Sequence, residues 1–343
     1  METVLVTGGN GFVAGWCIRT LLQRGYAVRT TVRNPAKDMA ARQALADAGS
    51  SERLAFFTAD LTSDEGWDAA IAGSDFVLHV ASPLGGGATS ERDAMIAAAR
   101  DGTLRVLRAA VKARVKRVVM TSAAAAARAP LSSDRISDET VWADPEDPQF
   151  DVYRVSKILA ERAGWDYIKA AGGSTELSTI LPGAVFGPIL TVENLGSVKI
   201  IQGLLQGRPP AIPRLGFWIT DVRDLADLHI RAMTSPQAAG ERFIAAGEFM
   251  WMADIASTLR AQLGALAEKV PTRRLPDFVV RLLMPFMPNL RTLAPLLGRQ
   301  VSLTSEKALR ILSFSPLPAR TTVVDCARSL LATSLVHPRH RPR

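Results

Sequence analysis

Tyr153 and Lys157, in the run Tyr153-Arg154-Val155-Ser156-Lys157, stand four residues apart. On a helix that spacing puts a phenol and an ammonium on one face. A cation beside a phenol favours the phenolate and lowers its pKa, so the pair suits proton exchange with a carbonyl oxygen. A second chemical device opens the chain. Thr7-Gly8-Gly9-Asn10-Gly11-Phe12-Val13-Ala14-Gly15 joins a strand-like run to a helical one. A glycine turn in that setting lets backbone approach a pyrophosphate and aims the helix N–H groups at it. Gly8, Asn10, Gly11, Phe12 and Val13 are therefore expected to hold a dinucleotide. The end of the second strand selects which one. A site for NAD places an acid there for the ribose 2′-hydroxyl, yet Val28–Arg33 is followed by no acid before Asp38. Arg33, assisted by Lys37, can form charge-assisted bonds to a 2′-phosphate, which predicts NADP.

Short apolar runs alternate with helical patterns around these residues. Strands are expected at Thr3–Thr7, Ala27–Arg33, Leu54–Thr58, Phe76–Val80, Arg117–Thr121 and Leu177–Leu181. Helices are expected at Phe12–Arg24, Lys37–Ala48, Trp67–Ile71, Ala94–Ala113 and Val152–Ala170. Unbroken apolar strands alternating with helices predict an α/β fold, a Rossmann-type doubly wound parallel sheet buried on both faces. Residues 1–186 form the expected NADP-binding domain. Residues 187–330, where prolines accumulate, form a smaller, mainly substrate-binding region. The Ile219–Leu228 segment is expected to return to the first domain, and 331–343 reads as a basic flexible tail.

With these residues in place, the chain resembles an extended short-chain dehydrogenase/reductase, nearest the group of dihydroflavonol, cinnamoyl-CoA and aldehyde/ketone reductases. The carriers are VTGGNGFVAG at 6–15, TTVRNP at 30–35, Ala59-Asp60-Leu61, and Leu78-His79-Val80-Ala81-Ser82-Pro83. VKRVVMTS at 115–122, SDETVW at 137–142, YRVSK at 153–157, LPGAVFGP at 181–188 and DVRDLADLHI at 221–230 complete the set. The resemblance implies that Asp60 and Leu61 flank the adenine, and Ala81, Ser82 and Pro83 the nicotinamide ribose. It places Pro182 and Val185 by the nicotinamide ring, with Ser197 a further phosphate or ribose contact. It implies an NADPH-dependent reduction of a ketone or aldehyde in which Tyr153 protonates the oxygen, while Lys157 tunes Tyr153 and holds the ribose.

Three positions depart from the pattern. Ala14 replaces the third glycine of the turn, which the fingerprint tolerates. The group reads Thr-Ser-Ser where this chain reads Thr121-Ser122-Ala123, so the hydroxyl that the resemblance assigns to the substrate carbonyl is missing. Losing such a donor costs about 10² to 10³ in rate; Ser122, or Thr121, is the expected stand-in, which makes Tyr153, Lys157 and Ser122 the expected catalytic set. Arg128 stands where the resemblance implies a substrate-binding Asn, and the Asn-Trp-Tyr-Cys signature of the plant cinnamoyl-CoA enzymes is absent before Lys157. Neither plant substrate follows.

The remaining features set bounds. The 343 residues are 48% apolar with mean hydropathy +0.11, which excludes disorder and supplies a large core. Cys17 and Cys326 cannot make a disulfide framework or a metal site and suit a reducing compartment. The net charge is +8, from 41 basic and 33 acidic residues, with a pI near 9.9. The basic residues are scattered, apart from the terminal His-Pro-Arg-His-Arg-Pro-Arg, so no nucleic-acid partner is expected. Phe278–Leu297 is the most apolar later stretch, but Pro285, Pro288, Pro295, Arg281 and Arg291 break it as a membrane span. His79 and His229 read as core imidazoles; Asp221, Asp224 and Asp227 read as caps rather than a metal cluster; Trp142 and Trp218 are pocket candidates, core packing being the commoner role of tryptophan. A cytoplasmic monomer or homodimer with a small carbonyl substrate and no metal is expected. The rival readings are a nucleotide-sugar epimerase or dehydratase that retains NAD, and an NADP-binding sensor with impaired catalysis.

Overall fold

The computed structural model describes residues 1–34, 43, 45, 51–83, 92–193, 195–283, 294–333, 335 and 336. Most of the helix expected at 37–48, including Lys37, lies outside the described residues, as do the middle of Phe278–Leu297 and the tail from residue 337.

Among the described residues, seven strands form one sheet in which every neighbouring pair is parallel. These are β1 (Thr3–Val6), β2 (Ala27–Val32), β3 (Leu54–Thr58), β4 (Phe76–His79), β5 (Arg117–Thr121), β6 (Glu176–Pro182) and, last to join, Arg242–Ala245 beside β6. Side chains alternate across the sheet. Val4, Val6, Leu78 and Val119 face one layer, while Leu5, Val77 and Val118 face the other. The first layer holds α1 (Phe12–Gln23) and the helix Val222–Thr234. The second holds α2 (Trp67–Ile71), α3 (Arg92–Lys112) and α4 (Val152–Ala171). Covering both faces removes β5 wholly from water, and each such Val or Leu side chain contributes about 1.5–3 kcal/mol. The fold is a Rossmann-type doubly wound α/β sheet.

The strand order reverses between β1 and β4, so the carboxyl ends of those strands open a crevice. Beyond β6 the chain builds the other wall. Strands Ala184–Phe186, Gly216–Asp221 and Phe249–Trp251 make a second, three-stranded sheet. The strand within the Ile219–Leu228 segment pairs in this small sheet. The helix that follows it, Val222–Thr234, packs on the large one, capped by Asp221 through a hydrogen bond from the Arg223 N–H. Helices Val198–Leu205, Met252–Leu263 and Ala319–Leu331 share a separate apolar cluster behind the small sheet. No described helix is long and apolar enough to cross a membrane.

Candidate active site

The glycine turn after β1 is shaped by close packing. Gly8 has φ +76°, and a Cβ there would lie 3.1 Å from the Ala81 Cβ; one on Gly9 would strike Thr30 Oγ1 at 2.4 Å. Only glycine lets the turn lie this near β2 and the end of β4. Gly11 caps α1 with no side-chain hydrogen bond, so the first-turn N–H groups keep no side-chain acceptor and face the crevice. These unfilled donors fit a dinucleotide pyrophosphate.

Thr7 fixes the floor. Its Oγ1 accepts from the N–H groups of Val80 (3.0 Å) and Ala81 (2.9 Å), so its single proton goes to His79 Nδ1 at 3.0 Å. His79 then carries its proton on Nε2, which donates to Thr103 Oγ1. Burial, then the charge of Lys157, pushes His79 down to about 3. His79 is thus a neutral strut joining β1, β4 and α3. His229 repeats the device. Its Nδ1 donates to the Leu225 carbonyl and its Nε2 accepts from Thr121 Oγ1 at 2.7 Å, and burial lowers it to about 4.

A cleft of about 680 Å³ runs from this turn across the strand ends. It is lined by Gly8, Asn10, Gly11, Phe12, Val13, Arg33, Asp60, Leu61, Ala81, Ser82, Pro83, Ser122, Tyr153, Lys157, Pro182, Val185 and Ser197. Every sequence-derived site residue that is described therefore meets in one place; Lys37 lies outside the described residues. Asp60 is held below the ordinary carboxylate range. Burial raises it, but the Thr62 hydrogen bonds and the charges of Arg33 and Arg105 outweigh that.

Tyr153 sits in the first turn of α4, which Asp151 caps by accepting from the Arg154 N–H at 2.8 Å. Lys157 is buried, and its Nζ donates to the Thr121 carbonyl at 2.9 Å. Burial lowers Lys157 to about 8 against the opposing pull of Glu161. In the protein alone Tyr153 is not acidified. Burial and the Asp151 carboxylate raise it, and the cation that lowers it is Arg154 rather than Lys157. Ser122 Oγ donates to Glu161 Oε2 at 2.6 Å. With Thr121 donating to His229, the protons of both hydroxyls next to Ala123 are engaged away from the cleft.

Sequence reasoning missed Glu161 and Arg242. Glu161 is fully buried one turn beyond Lys157. Its oxygens take Arg242 Nε (2.8 Å), Thr179 Oγ1 (2.8 Å) and Ser122 Oγ. Arg242 also donates to the carbonyls of Glu139 and Val141 and lies 3.7 Å from the Trp142 ring. Glu139 accepts from the Ile244 N–H, and Ser137 accepts from the Ala129 N–H. SDETVW is thus a clasp fastening the 130–150 loop to the seventh strand. Of the two pocket candidates, Trp142 stacks on Arg242 and does not line the cleft, whereas Trp218 does line it, with Nε1 donating to the Val301 carbonyl. The signal for Glu161 was available: an acid four residues after Lys157 falls on the buried helix face.

The strand reversal and the glycine turn define a dinucleotide-type α/β protein, with Tyr153 and Lys157 on a helix across the cleft. The chain belongs to the NAD dependent epimerase/dehydratase family, whose family model matches residues 4–246. It is 34% identical over 298 residues to Ketoreductase azaE of Aspergillus niger, covering 80% of this chain and 87% of that one. It is 35% identical over 264 residues to Cinnamoyl-CoA reductase 1 of Petunia hybrida, covering 75% and 76%. Among solved structures it is similar to Gre2 from Candida albicans in complex with NADPH. That match has a TM-score of 0.79 and 26% identity, covering 97% of this chain and 99% of that one.

Proposed function

We propose that the protein reduces a ketone or aldehyde carbonyl with NADPH, Tyr153 giving the proton to the carbonyl oxygen. The observation that carries this reading is the single cleft shared by the glycine turn, Arg33, Tyr153 and Lys157. That the protein is an NADP-dependent oxidoreductase is supported by the run of reductases among its relatives.

In this reading Gly8, Asn10, Gly11, Phe12 and Val13 hold the pyrophosphate, Arg33 the 2′-phosphate, and Asp60 and Leu61 the adenine. Ala81, Ser82, Pro83, Pro182, Val185 and Ser197 serve the remaining length. When bound, NADPH supplies the hydride; the proton is the chain's own concern. Tyr153 is 37% exposed at the cleft surface, and partial desolvation with the Asp151 carboxylate raises its phenol, so it stays protonated at neutral pH, as a general acid must before it acts. Lys157, still mostly charged at pH 7, donates to the ribose, and Arg154 is the cation that favours the phenolate left behind. Ser122 can meet the carbonyl only by releasing Glu161.

The test is NADPH oxidation over a panel of aldehydes, ketones and flavanonols, with NADH in parallel. Turnover on some member, falling at least about 10²-fold in Tyr153→Phe, is expected; undiminished turnover in that variant removes the assignment. The committed protons of Thr121 and Ser122 beside Ala123 favour a second reading, an NADP-binding sensor. Tight NADPH binding with no turnover across the panel selects it.

A further inference from the structure

The substrate end of the cleft holds cations that the protein does not fully partner. Arg128 leaves the short turn Ala124–Ala127, is only 7% exposed, and lines the cleft. One face of its guanidinium lies 3.8 Å from the Phe150 ring. Its Nη2 makes one long contact, 3.2 Å, to Asp147 Oδ2, and its Nε–H is buried with no acceptor. A buried guanidinium carries five donors and is stable only when they are filled. Asp147 does little more, because its other oxygen takes the Gln149 N–H at 2.9 Å. Burial lowers the Arg128 pKa against the opposing pull of Asp147, and the nearby charge of Arg154 adds to the lowering.

Two further arginines line the same end. Arg154 is paired with Asp151 at 2.6 Å. Arg299 donates to the Leu131 carbonyl at 3.4 Å and has no carboxylate partner among the described residues. Three guanidiniums, Arg128 buried, Arg154 half-buried and Arg299 exposed, thus face two carboxylates, which favours an incoming anion. Nothing about Tyr153 chemistry requires this; a neutral ketone leaves Arg128 as it is.

We infer that Arg128 recognises a carboxylate on the substrate, so that the carbonyl compound reduced here is an oxo-acid. This deepens the carbonyl-reductase reading and rests on it. The planar fork of arginine matches a carboxylate. A small swing off the long Asp147 contact brings the unfilled Nε–H to a carboxylate oxygen. Trp218 and Phe249, edge to face at 5.7 Å on the same wall, suit an aryl body on such a molecule.

The test is a series of aryl oxo-acids differing in the number of carbons between ketone and carboxylate, each paired with its methyl ester. The ratio of kcat/KM for acid over ester is measured at saturating NADPH. At least one acid should lead its ester by about 10- to 100-fold, the range of a charge-assisted hydrogen bond. Arg128→Gln should collapse that ratio through KM, and Asp147→Asn, which frees the guanidinium, should raise it. Arg128→Lys and Asp147→Asn carry the test should Arg128→Gln fail to fold. Esters equal to or better than acids at every spacing, or a preference that survives Arg128→Gln, overturn the inference while leaving carbonyl reduction standing. If neither acids nor esters are turned over, the reductase reading is what fails. The thermal shift of NADPH-loaded protein then decides Arg128: a larger shift with acid than ester, lost in Arg128→Gln, supports it, and equal shifts overturn it.

Discussion

Arg242 Nε donates to Glu161 Oε1 at 2.8 Å, both side chains being almost wholly buried. The pair ties α4, which carries Tyr153 and Lys157, to the seventh strand. Through the other Arg242 donors it also holds the 137–142 loop. Removing one partner leaves a buried charge uncompensated, and that costs about 3–5 kcal/mol. Arg242→Met is therefore expected to lower unfolding stability by that amount, with Glu161→Gln added to it recovering part of the loss. Urea denaturation measures both; a loss below about 1 kcal/mol in the single variant means the pair is not the clasp described here.

Ala123 leaves the carbonyl without the second donor that the resemblance implies, and neither neighbouring hydroxyl has a free proton. Ala123 has extended backbone, φ −152° and ψ 150°, which serine adopts without strain. Ala123→Ser should therefore raise kcat for the best carbonyl substrate at least about 10-fold, since deleting such a donor elsewhere costs about 10² to 10³. Stopped-flow or steady-state NADPH oxidation reads it. An unchanged kcat shows that the oxygen is already served by another group.

The sheet was legible because its chemistry is local. Strands such as Leu54–Thr58 and Arg117–Thr121 have unbroken apolar centres, Leu54 to Phe57 and Val118 to Met120, and the glycine turn announces the helix after β1. Arg242–Ala245 was missed as a strand because its pairing with β6 follows a long crossover that nothing local in the sequence announces. Tyr153 and Lys157 were legible from their spacing, but the electrostatics were not. The phenol responds to burial and to Asp151, neither of which a spacing reveals. SDETVW was visible as a motif; its work, shared among Ala129, Ile244 and Arg242, is spread over more than a hundred residues of chain.

Arg33 lines the cleft and contributes to lowering Asp60, so its positive charge is present where a 2′-phosphate is expected. Arg33→Ala removes that charge and leaves the glycine turn intact. The Kd for NADPH should weaken about 10- to 100-fold, the range of a hydrogen bond to a charged group. The Kd for NADH should change little. Titration of intrinsic tryptophan fluorescence with each cofactor gives both constants. Equal weakening of the two would assign Arg33 to folding rather than to the choice of cofactor.

His79 and His229 make stability sensitive to acid, and the sign follows from their lowered values. In the unfolded chain both titrate near 6.5, whereas in the folded protein burial holds them near 3 and 4. Between those limits the unfolded chain binds more protons, so stability present above about pH 6.5 is lost as pH falls toward 4. Each group contributes at most about 1.4 kcal/mol per pH unit. Asp224 works the other way. Burial raises it from 3.8 to about 6, so below pH 6 the folded protein gains a proton first and offsets part of one histidine. Glu139, also raised by burial, adds to that offset. A net loss remains because the two imidazoles are joined by carboxylates held low, Asp60, Asp75 and Asp138, whose contribution is lost as they protonate. Urea midpoints should therefore fall steadily from pH 7 to 4.5. His229→Asn should start lower at pH 7, having lost the fit to Thr121 and Leu225, and then lose less on acidification. A wild-type curve that stays level across this range would show that the two imidazoles are not the neutral struts inferred from their hydrogen bonds.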